Sequence, residues 1–269
     1  MLVPKQLQSL APYECELIRI GARGDGGYVV GRASAHRSKA LVSLGIASEW
    51  SFDEDFLRAR PDLHYVGCDR GTGFLVFMFA CLKSLLTFNR WALGFRQCRT
   101  AISFLRLVNP LHRRRKFYRR WVKARVQDSR RDTTLRQLLS ASRHVEGVFL
   151  KMDIEGGEYE LLPQIVEMIV VSPQTFAGLC IEFHDLSDRQ NEVVEFVQAI
   201  RESMAVVHLH ANNCVPLTGE FPEVVEISFS PQSDVLPQQV DALPRPSLDF
   251  PNDNDRPDFR LVFALGQTD

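Results

Sequence analysis

Apolar and polar positions along the chain follow two periods. Short apolar runs predict buried strands at 40–46, 63–69, 147–153 and 176–185. Apolar residues three and four positions apart predict helices at 48–60, where Ser51 is the expected N-cap, at 158–171 and at 191–203. Strands that alternate with helices are typical of βαβ units, so the pattern predicts an α/β chain with a mostly parallel central sheet.

The last third of the chain follows a different rhythm. Strand patterns at 205–213, 223–230 and 259–265 come close together, with loops rather than helices between some of them. This spacing predicts an antiparallel edge to the sheet. The proline-rich stretch 236–258 predicts an extended loop that crosses the surface. The 269 residues are therefore expected to form one domain, 1–269.

The segment 71–127 breaks the alternation of strands and helices. It is basic and aromatic, with no acidic residue between Asp69 and Asp128, although the formal net charge of the whole chain is −1. Apolar residues at roughly helical spacing predict an inserted helical segment. Its basic and aromatic side chains fit a solvated helix packed on the core, a lid that attracts an anionic or lipid-linked acceptor, or a patch for RNA or a membrane surface. We favour the lid, with peripheral contact to an anionic surface through 74–125.

The cysteines and the apolar runs bear on the compartment. Six scattered cysteines without a CxxC pair predict a reducing compartment and no disulfide framework. The most apolar run, FLVFMFACLKSLL, contains Lys83 and is shorter than the roughly 20 residues that span a bilayer. The first residues lack the long apolar core of a secretory signal. A cytoplasmic location is expected, extending to the inner face of the membrane.

The ends of the first two predicted strands carry the pattern of a nucleoside site. Ligands of open parallel sheets bind beyond the carboxyl ends of the strands. Gly45 and Ile46 end the first strand, and Asp69 and Arg70 close the second. A glycine lets the backbone approach a ligand, and an acid can accept two ribose hydroxyls. Because SLGIASEW has one glycine, the ligand is expected to lack a pyrophosphate.

Acids and imidazoles at the later strand ends form a second candidate cluster. Glu182 and His184 share one strand face, as do His208 and His210, and Asp153 closes a neighbouring strand. Such groups can take a proton from a hydroxyl or hold a divalent cation. We expect catalytic roles for Asp153, Glu182, His184 and His210, and we expect the first three to be the ligands of any Mg²⁺ or Mn²⁺ ion. The alternative is that these groups only end their strands as solvated or hydrogen-bonded side chains.

Two further segments are candidates for ligand contact. In RIGARGDGGYVV (19–30), Asp25, Gly27 and Tyr28 form either a hairpin turn or a loop that approaches the ligand. Asp128 and Ser129 follow WVKARVQ (121–127), the expected third strand, and are predicted to meet an adenine ring.

Several motifs resemble those of FkbM-type S-adenosylmethionine-dependent methyltransferases. They are KMDIEGGEYELL, SLGIASEWSFDEDF, GDGGYVV, IEFHDL, HLHANN and LDFPND. The most specific is K-x-D-x-E-G-x-E, present as Lys151, Asp153, Glu155, Gly156 and Glu158. The resemblance covers most of the chain outside the basic segment. It implies a Rossmann-like class I methyltransferase fold, S-adenosylmethionine bound across Gly45 and Asp69, and, in some members, a divalent cation.

The sequence does not identify the acceptor. The resemblance implies O-methylation, often of a sugar hydroxyl, which favours a sugar, glycan or related natural product. An RNA methyltransferase that binds nucleic acid through the basic segment is the runner-up, and a non-catalytic binding module is the third hypothesis. Acids at three strand ends argue against the non-catalytic module. The oligomeric state is open, and a homo-oligomer is compatible with the sequence.

Overall fold

A computed structural model describes residues 1–85, 91–109, 111–217 and 219–264, without the side chains of 75, 81, 85 and 91–97. The strands are β1 (Leu17–Ile20), β2 (Tyr28–Gly31), β3 (Ala40–Leu44), β4 (His64–Cys68), β5 (Arg115–Tyr118), β6 (Trp121–Val122), β7 (Asp132–Thr133), β8 (Val148–Met152), β9 (Phe176–Phe183), β10 (Met204–Ala211), β11 (Val225–Pro231), β12 (Ala242–Leu243) and β13 (Leu261–Val262). The α-helices are α1 (Arg32–Arg37), α2 (Ser51–Ala59), α3 (Phe74–Leu85), α4 (Trp91–Val108), α5 (Leu135–Ala141), α6 (Glu158–Val171) and α7 (Leu186–Ile200), and 3-10 helices cover Lys5–Leu10, Pro173–Thr175 and Gln232–Asp234.

A seven-stranded sheet in the order β10-β11-β9-β8-β3-β4-β5 forms the centre of the molecule. The strands from β9 to β5 pair in parallel, and β11 pairs antiparallel with both β9 and β10. All five residues of β3 and of β8 are buried, as expected of a parallel sheet covered on both faces. The predicted α/β, Rossmann-like fold class is confirmed by this topology.

The antiparallel edge that the sequence predicts is present, and two of its three expected strands, β10 and β11, form it. β11 is the second strand from the edge, and β10, the edge strand, runs in the same direction as β9. The strand predicted at 259–265 is reduced to β13, which pairs with β12 outside the central sheet; residue 265 lies outside the described part. Strand order depends on contacts between distant segments, which apolar spacing does not encode.

The segment 71–127 is only partly helical. α3 and α4 pack on each other, and Phe104 of α4 contacts Phe117 with ring centroids 4.9 Å apart. Phe117 belongs to β5, the edge strand of the central sheet, so the segment predicted as a helical insert supplies one strand of the core. The sequence hid this strand because basic residues surround it. Residues 86–90 and 110 of the segment lie outside the described part.

The cysteines differ in one respect from expectation. Cys15, Cys68, Cys180 and Cys214 are free thiols, whereas Cys98 in α4 is disulfide-bonded. Scattered spacing along the chain did not predict this bond, because pairing depends on the distance between side chains in the fold. Across the described residues, no helix combines the length and the apolar character needed to cross a bilayer.

Candidate active site

The end of β3 bends sharply where it meets β8. Gly45 has a left-handed backbone with φ of +70°, a region that glycine adopts without steric cost. Its N–H donates to the carbonyl of Cys68 at 3.0 Å, and the N–H of Asp153 donates to the carbonyl of Leu44 at 3.1 Å. The turn therefore ties the ends of three adjacent strands together.

Asp69 at the end of β4 braces the loop that follows β3. One carboxylate oxygen accepts the N–H groups of Ile46 and Ala47, at 3.0 and 2.8 Å, and the other accepts the N–H of Thr72 at 2.8 Å. Hydrogen bonds to a carboxylate are stronger than neutral ones. The carboxylate therefore fixes the loop, and it remains only half-buried.

A cavity of about 650 Å³ opens beyond these strand ends. Gly45, Asp69 and Arg70 line one side, residues 120–123 a second and residues 153–157 a third. Its volume lies within the range of roughly 300 to 1,000 Å³ typical of small-molecule sites. Gly45 and Asp69, which the sequence predicted as one binding site, thus share one cavity.

A second cavity of about 270 Å³ lies beside the first. Asp25, Tyr28, Glu182 and His184 are among its lining residues. Asp153 lines both cavities, as do Ala47 and Glu155. The acid that closes β8 therefore stands at the boundary between a large cavity and a small, strongly polar one.

The small cavity lies over a row of ionisable groups that crosses the sheet. Met152 pairs with Ile181, so Asp153 stands level with Glu182. Glu182 pairs with Glu226 on β11, which in turn pairs with His210 on β10. Residues in such a register project from the same face of the sheet. Glu182, Glu226 and His210 are buried.

Tyr28 on β2 connects the first two members of this row. Its hydroxyl lies 3.3 Å from Oδ2 of Asp153 and 3.2 Å from Oε2 of Glu182, and it can donate to either. Burial, and then the charges of Asp153 and Glu182, raise the pKa of Tyr28 well above its usual value. The hydroxyl therefore stays protonated and acts as a donor. The segment 19–30 is a hairpin, β1 with β2, and its Tyr28 reaches the site.

Lys151 is a site residue that the sequence reasoning missed. Its ammonium donates to the carbonyl of Gly45 at 2.8 Å and to Oδ2 of Asp153 at 3.3 Å. Burial lowers the pKa of Lys151, but the carboxylates of Asp153, Asp53 and Glu182 raise it by more, so the net shift is upward. A lysine inside the apolar run GVFLKMD was the signal, because a buried ammonium requires acidic partners.

Glu182 and His184 are held by different neighbours. Glu182 accepts a hydrogen bond from Asn212 at 3.0 Å, and burial, followed by the charges of Asp153 and Glu226, raises its pKa. His184 places Nδ1 2.7 Å from the buried carboxylate of Glu158. Burial lowers the pKa of His184, but the hydrogen bond and charge of Glu158 outweigh it and raise the pKa overall. Glu158, in the first turn of α6, thus orients this imidazole.

Among the described residues, Asp153, Glu155 and His184 could hold a metal ion together. Their ligand atoms all lie within 4.8 Å of one another. The Nδ1–Glu158 contact leaves Nε2 of His184 as the ligand atom, the usual arrangement of a metal-binding histidine. Glu182, predicted as a ligand, is instead engaged by Tyr28 and Asn212, and its Oε1 lies 4.0 Å from Nε2 of His184.

His210, predicted as catalytic, lies away from both cavities. Its Nε2 is 3.2 Å from Asp258, and its Nδ1 is 3.7 Å from Glu226. His208 likewise contacts Asp249, at 3.0 Å. The reason is the position of β11, which separates β10 from β9. Both histidines therefore fasten the C-terminal segment to the sheet, the alternative that the sequence left open for them.

Asp128 and Ser129 also lie off the cavities, since the edge strand of the sheet is β5 and not 121–127. Asp128 organises the turn before β7, where its carboxylate accepts the N–H of Arg130 at 2.9 Å. Trp121, Val122 and Lys123 line the large cavity in their place. Gly27 packs beneath the hairpin turn, where a Cβ would lie 1.9 Å from the carbonyl oxygen of Ala22.

Comparison with known proteins leaves the family open. No family model and no curated protein matches the chain. A methyltransferase FkbM from Methylobacillus flagellatus aligns at 11% identity and a TM-score of 0.39, over 71% of this chain and 44% of that one. The METTL16 MTase domain aligns at 9% and 0.38 over 74% and 62%, and a precorrin-6y C5,15-methyltransferase from Geobacter metallireducens at 11% and 0.38 over 73% and 82%. The chain thus spans less than half of the first structure's length. At such low identities and TM-scores the likeness carries no functional argument, and function must be argued from the site.

Proposed function

We propose that the chain is an S-adenosylmethionine-dependent O-methyltransferase whose acceptor is a hydroxyl of a sugar, a glycan or a related natural product. The observation that carries the proposal is the meeting of two cavities at Asp153. Methyl transfer needs a donor site and an acceptor site that share the reacting centre, because the oxygen must lie in line with the bond that breaks. The motif K-x-D-x-E-G-x-E, to which Asp153 belongs, supports the same assignment.

The residues of the large cavity fit the donor. Gly45 keeps the wall free of a side chain, and Asp69 offers carboxylate oxygens at the point where ribose hydroxyls bind in open α/β sheets. Trp121 and Val122 supply apolar surface for a base. When bound, the donor would supply an electrophilic methyl group on a sulfonium sulfur, and transfer of that group would leave the rest of the donor as a thioether. The chain's own task is to orient this donor and the acceptor hydroxyl.

The residues of the small cavity handle the hydroxyl and its proton. Asp153 and Glu155 are the acids that border both cavities. Because Asp153 is the more buried of the two, we assign it the proton that leaves the acceptor oxygen as the O–CH₃ bond forms. Lys151 and Tyr28 hold its carboxylate in place. Because burial raises the pKa of Glu182, this acid suits a role as hydrogen-bond donor to the acceptor.

A divalent ion is compatible with this cluster. Asp153, Glu155 and His184 would hold it, and two oxygens with one imidazole suit Mg²⁺ or Mn²⁺. Such an ion would lower the pKa of a coordinated hydroxyl. Calorimetric titration with Mn²⁺ of the wild type and of Glu155→Gln tests this point, and equal affinities would exclude Glu155 as a ligand.

Calorimetry with S-adenosylhomocysteine, the demethylated donor, tests the proposal. We expect the wild type to bind it and Asp69→Asn to bind it roughly tenfold or more weakly, because a hydrogen bond to a charged group is replaced by a neutral one. Asp128→Asn is the matched control. It makes the same change at an acid outside the cavity and should leave the affinity unchanged. Absence of binding by the folded wild type would refute the proposal.

RNA methylation is the second candidate, favoured by the absence of acidic residues between Asp69 and Asp128. A contact driven by phosphates weakens steeply as the salt concentration rises, because the release of counterions into concentrated salt gains less free energy. Filter binding of a single-stranded RNA across a salt series distinguishes the candidates. Tight binding with a steep salt slope would favour RNA, and weak binding that salt does not change would exclude it.

A further inference from the structure

A third cavity, of about 900 Å³, lies between α2 and α4. Arg99, Ser103 and Arg106 line it from α4, and Ser48, Glu49 and Glu54 line it from the start of α2 and the loop before it. Ser48 and Glu49 also line the small cavity that holds Asp153 and Glu182. The third cavity therefore adjoins the acceptor side of the proposed active site.

Direct contacts hold α4 in this position. Nε1 of Trp50 donates to the hydroxyl of Ser103 at 3.2 Å, and that hydroxyl donates to Oε1 of Glu54 at 2.8 Å. The rings of Trp50 and Phe104 pack edge to face with centroids 5.6 Å apart. The cavity wall is thus built into the fold through the buried Trp50.

Among the described residues, Arg99 and Arg106 are the charged side chains of this cavity without a hydrogen-bond or ion-pair partner. Neither guanidinium makes an ion pair or a side-chain hydrogen bond within the described residues, and both are exposed. By contrast, the acids have donors, since Glu54 accepts the Ser103 hydroxyl and Glu49 accepts the N–H of Ser51 at 2.7 Å. The two arginines are seven positions apart, which is about 10 Å along a helix. Both lie on the face of α4 that lines the cavity.

The charged groups of the small cavity limit where an anionic group of the acceptor could bind. Acids outnumber cations in the lining of the small cavity, where Asp25, Glu49, Asp53, Asp153, Glu155 and Glu182 stand against Lys151 and His184. A carboxylate or phosphate next to the reacting hydroxyl would therefore be repelled. Arg99 and Arg106 supply positive charge on the wall of the third cavity, and guanidinium groups bind carboxylates and phosphates in a bidentate manner. The acids and hydroxyls beside them suit hydrogen bonds to sugar hydroxyls.

We propose that the acceptor is an acidic glycan, whose carboxylate or phosphate binds Arg99 and Arg106 while a hydroxyl of a neighbouring sugar reaches Asp153. This inference rests on the proposed function and names its substrate class. A nucleic-acid backbone fits this wall less well, because Glu49 and Glu54 can accept hydrogen bonds from the several hydroxyls of each sugar of a glycan, whereas a nucleotide within RNA has one.

Trigalacturonic acid and its fully methyl-esterified, uncharged form are matched probes for calorimetry on the full chain. We expect the acid to bind more tightly than the ester by tenfold or more. In the Arg99→Gln/Arg106→Gln variant the acid should lose at least tenfold in affinity, and the ester should be unaffected. Arg130→Gln removes an exposed arginine outside the three cavities and should change neither affinity. Maltotriose and a phosphorylated maltotriose form a second pair, which tells phosphate from carboxylate.

Binding of S-adenosylhomocysteine is measured on the same variants to separate the two proposals. Unchanged affinity for it shows that the arginines act on the acceptor side alone. Equal affinity for acid and neutral forms in both pairs, failure of the wild type to bind either acid at millimolar concentration, or acid binding that survives the double substitution would overturn the acidic-glycan inference. Tighter binding of a single-stranded RNA than of either acid, lost in the double variant, would also overturn it. Failure of the wild type to bind S-adenosylhomocysteine would instead refute the methyltransferase function.

Discussion

A Cβ atom placed on Gly45 would lie 1.4 Å from the carbonyl oxygen of Asp153. The ends of β3 and β8 therefore meet backbone to backbone, at the boundary of the two cavities. Gly45 also has φ of +70°, so a side chain there is excluded by space and by conformation alike. Gly45, which lines the large cavity, and Asp153, to which the acceptor proton is assigned, thus constrain each other directly.

Gly45→Ala is expected to destabilise the fold and to abolish binding of S-adenosylhomocysteine. Either the ends of β3 and β8 separate or the backbone takes a strained conformation, which costs on the order of 1–3 kcal/mol. Urea unfolding and calorimetry measure the two effects. Gly219→Ala is the control, since nothing lies within 4 Å of a Cβ at that position, and it should behave as the wild type. Wild-type stability and affinity in Gly45→Ala would contradict this account of the turn.

The strand ends of the site could be predicted from the sequence. Parallel strands end at the same edge of a sheet, so Gly45, Asp69 and Asp153 had to lie near one another once their strands were recognised. Glu182 and His184 followed from alternation along β9. Charged residues within or directly after apolar runs carried this signal, because a charge at the end of a buried strand requires a partner or a ligand.

What escaped prediction depends on contacts between distant segments. The insertion of β11 between β9 and β10 removed His210 from the site, and no local pattern encodes strand order. The strand β5 lay hidden in a basic run. The left-handed backbone of Glu155, with φ of 54°, turns its carboxylate toward His184. Such a conformation is uncommon for a residue other than glycine, so the sequence did not indicate it.

Lys151→Met should be among the most destabilising substitutions in the site. It leaves the buried Asp53 and the half-buried Asp153 without their shared ammonium, and removing one partner of a buried ion pair typically costs about 3–5 kcal/mol. Urea unfolding at neutral pH measures the loss. Lys123→Met, which breaks an exposed pair with Glu160, should cost less than about 1 kcal/mol. Equal losses in the two variants would show that Lys151 does not hold the cluster together.

Tyr28→Phe should distinguish the role of the small cavity from that of the large one. The hydroxyl that bridges Asp153 and Glu182 is lost, which costs about 1–3 kcal/mol by leaving Oε2 of the buried Glu182 without a donor. Because Tyr28 lines the small cavity and not the large one, the affinity for S-adenosylhomocysteine should stay unchanged. Tyr13→Phe, outside both cavities, is the control for stability. A clear loss of that affinity in Tyr28→Phe would mean that the donor extends into the small cavity, one of the two alternatives that the sequence left open for this segment.

His210 should make stability depend on pH in the alkaline range. Burial alone would lower the pKa of His210. The hydrogen bonds with Asp258 and Glu226 have the larger effect and raise this pKa from 6.5 to about 10. A raised pKa means that the stabilisation is complete below pH 6.5 and is lost as the pH rises toward 10. The difference in unfolding free energy between the wild type and His210→Gln should therefore shrink, by on the order of 3 kcal/mol, between these limits. Asp258→Asn should lower the pKa of His210 and so narrow the pH range over which its stabilisation is lost, because it removes one of the two acids that hold the proton. A difference that stays constant across this range would show that His210 is uncharged in the folded protein.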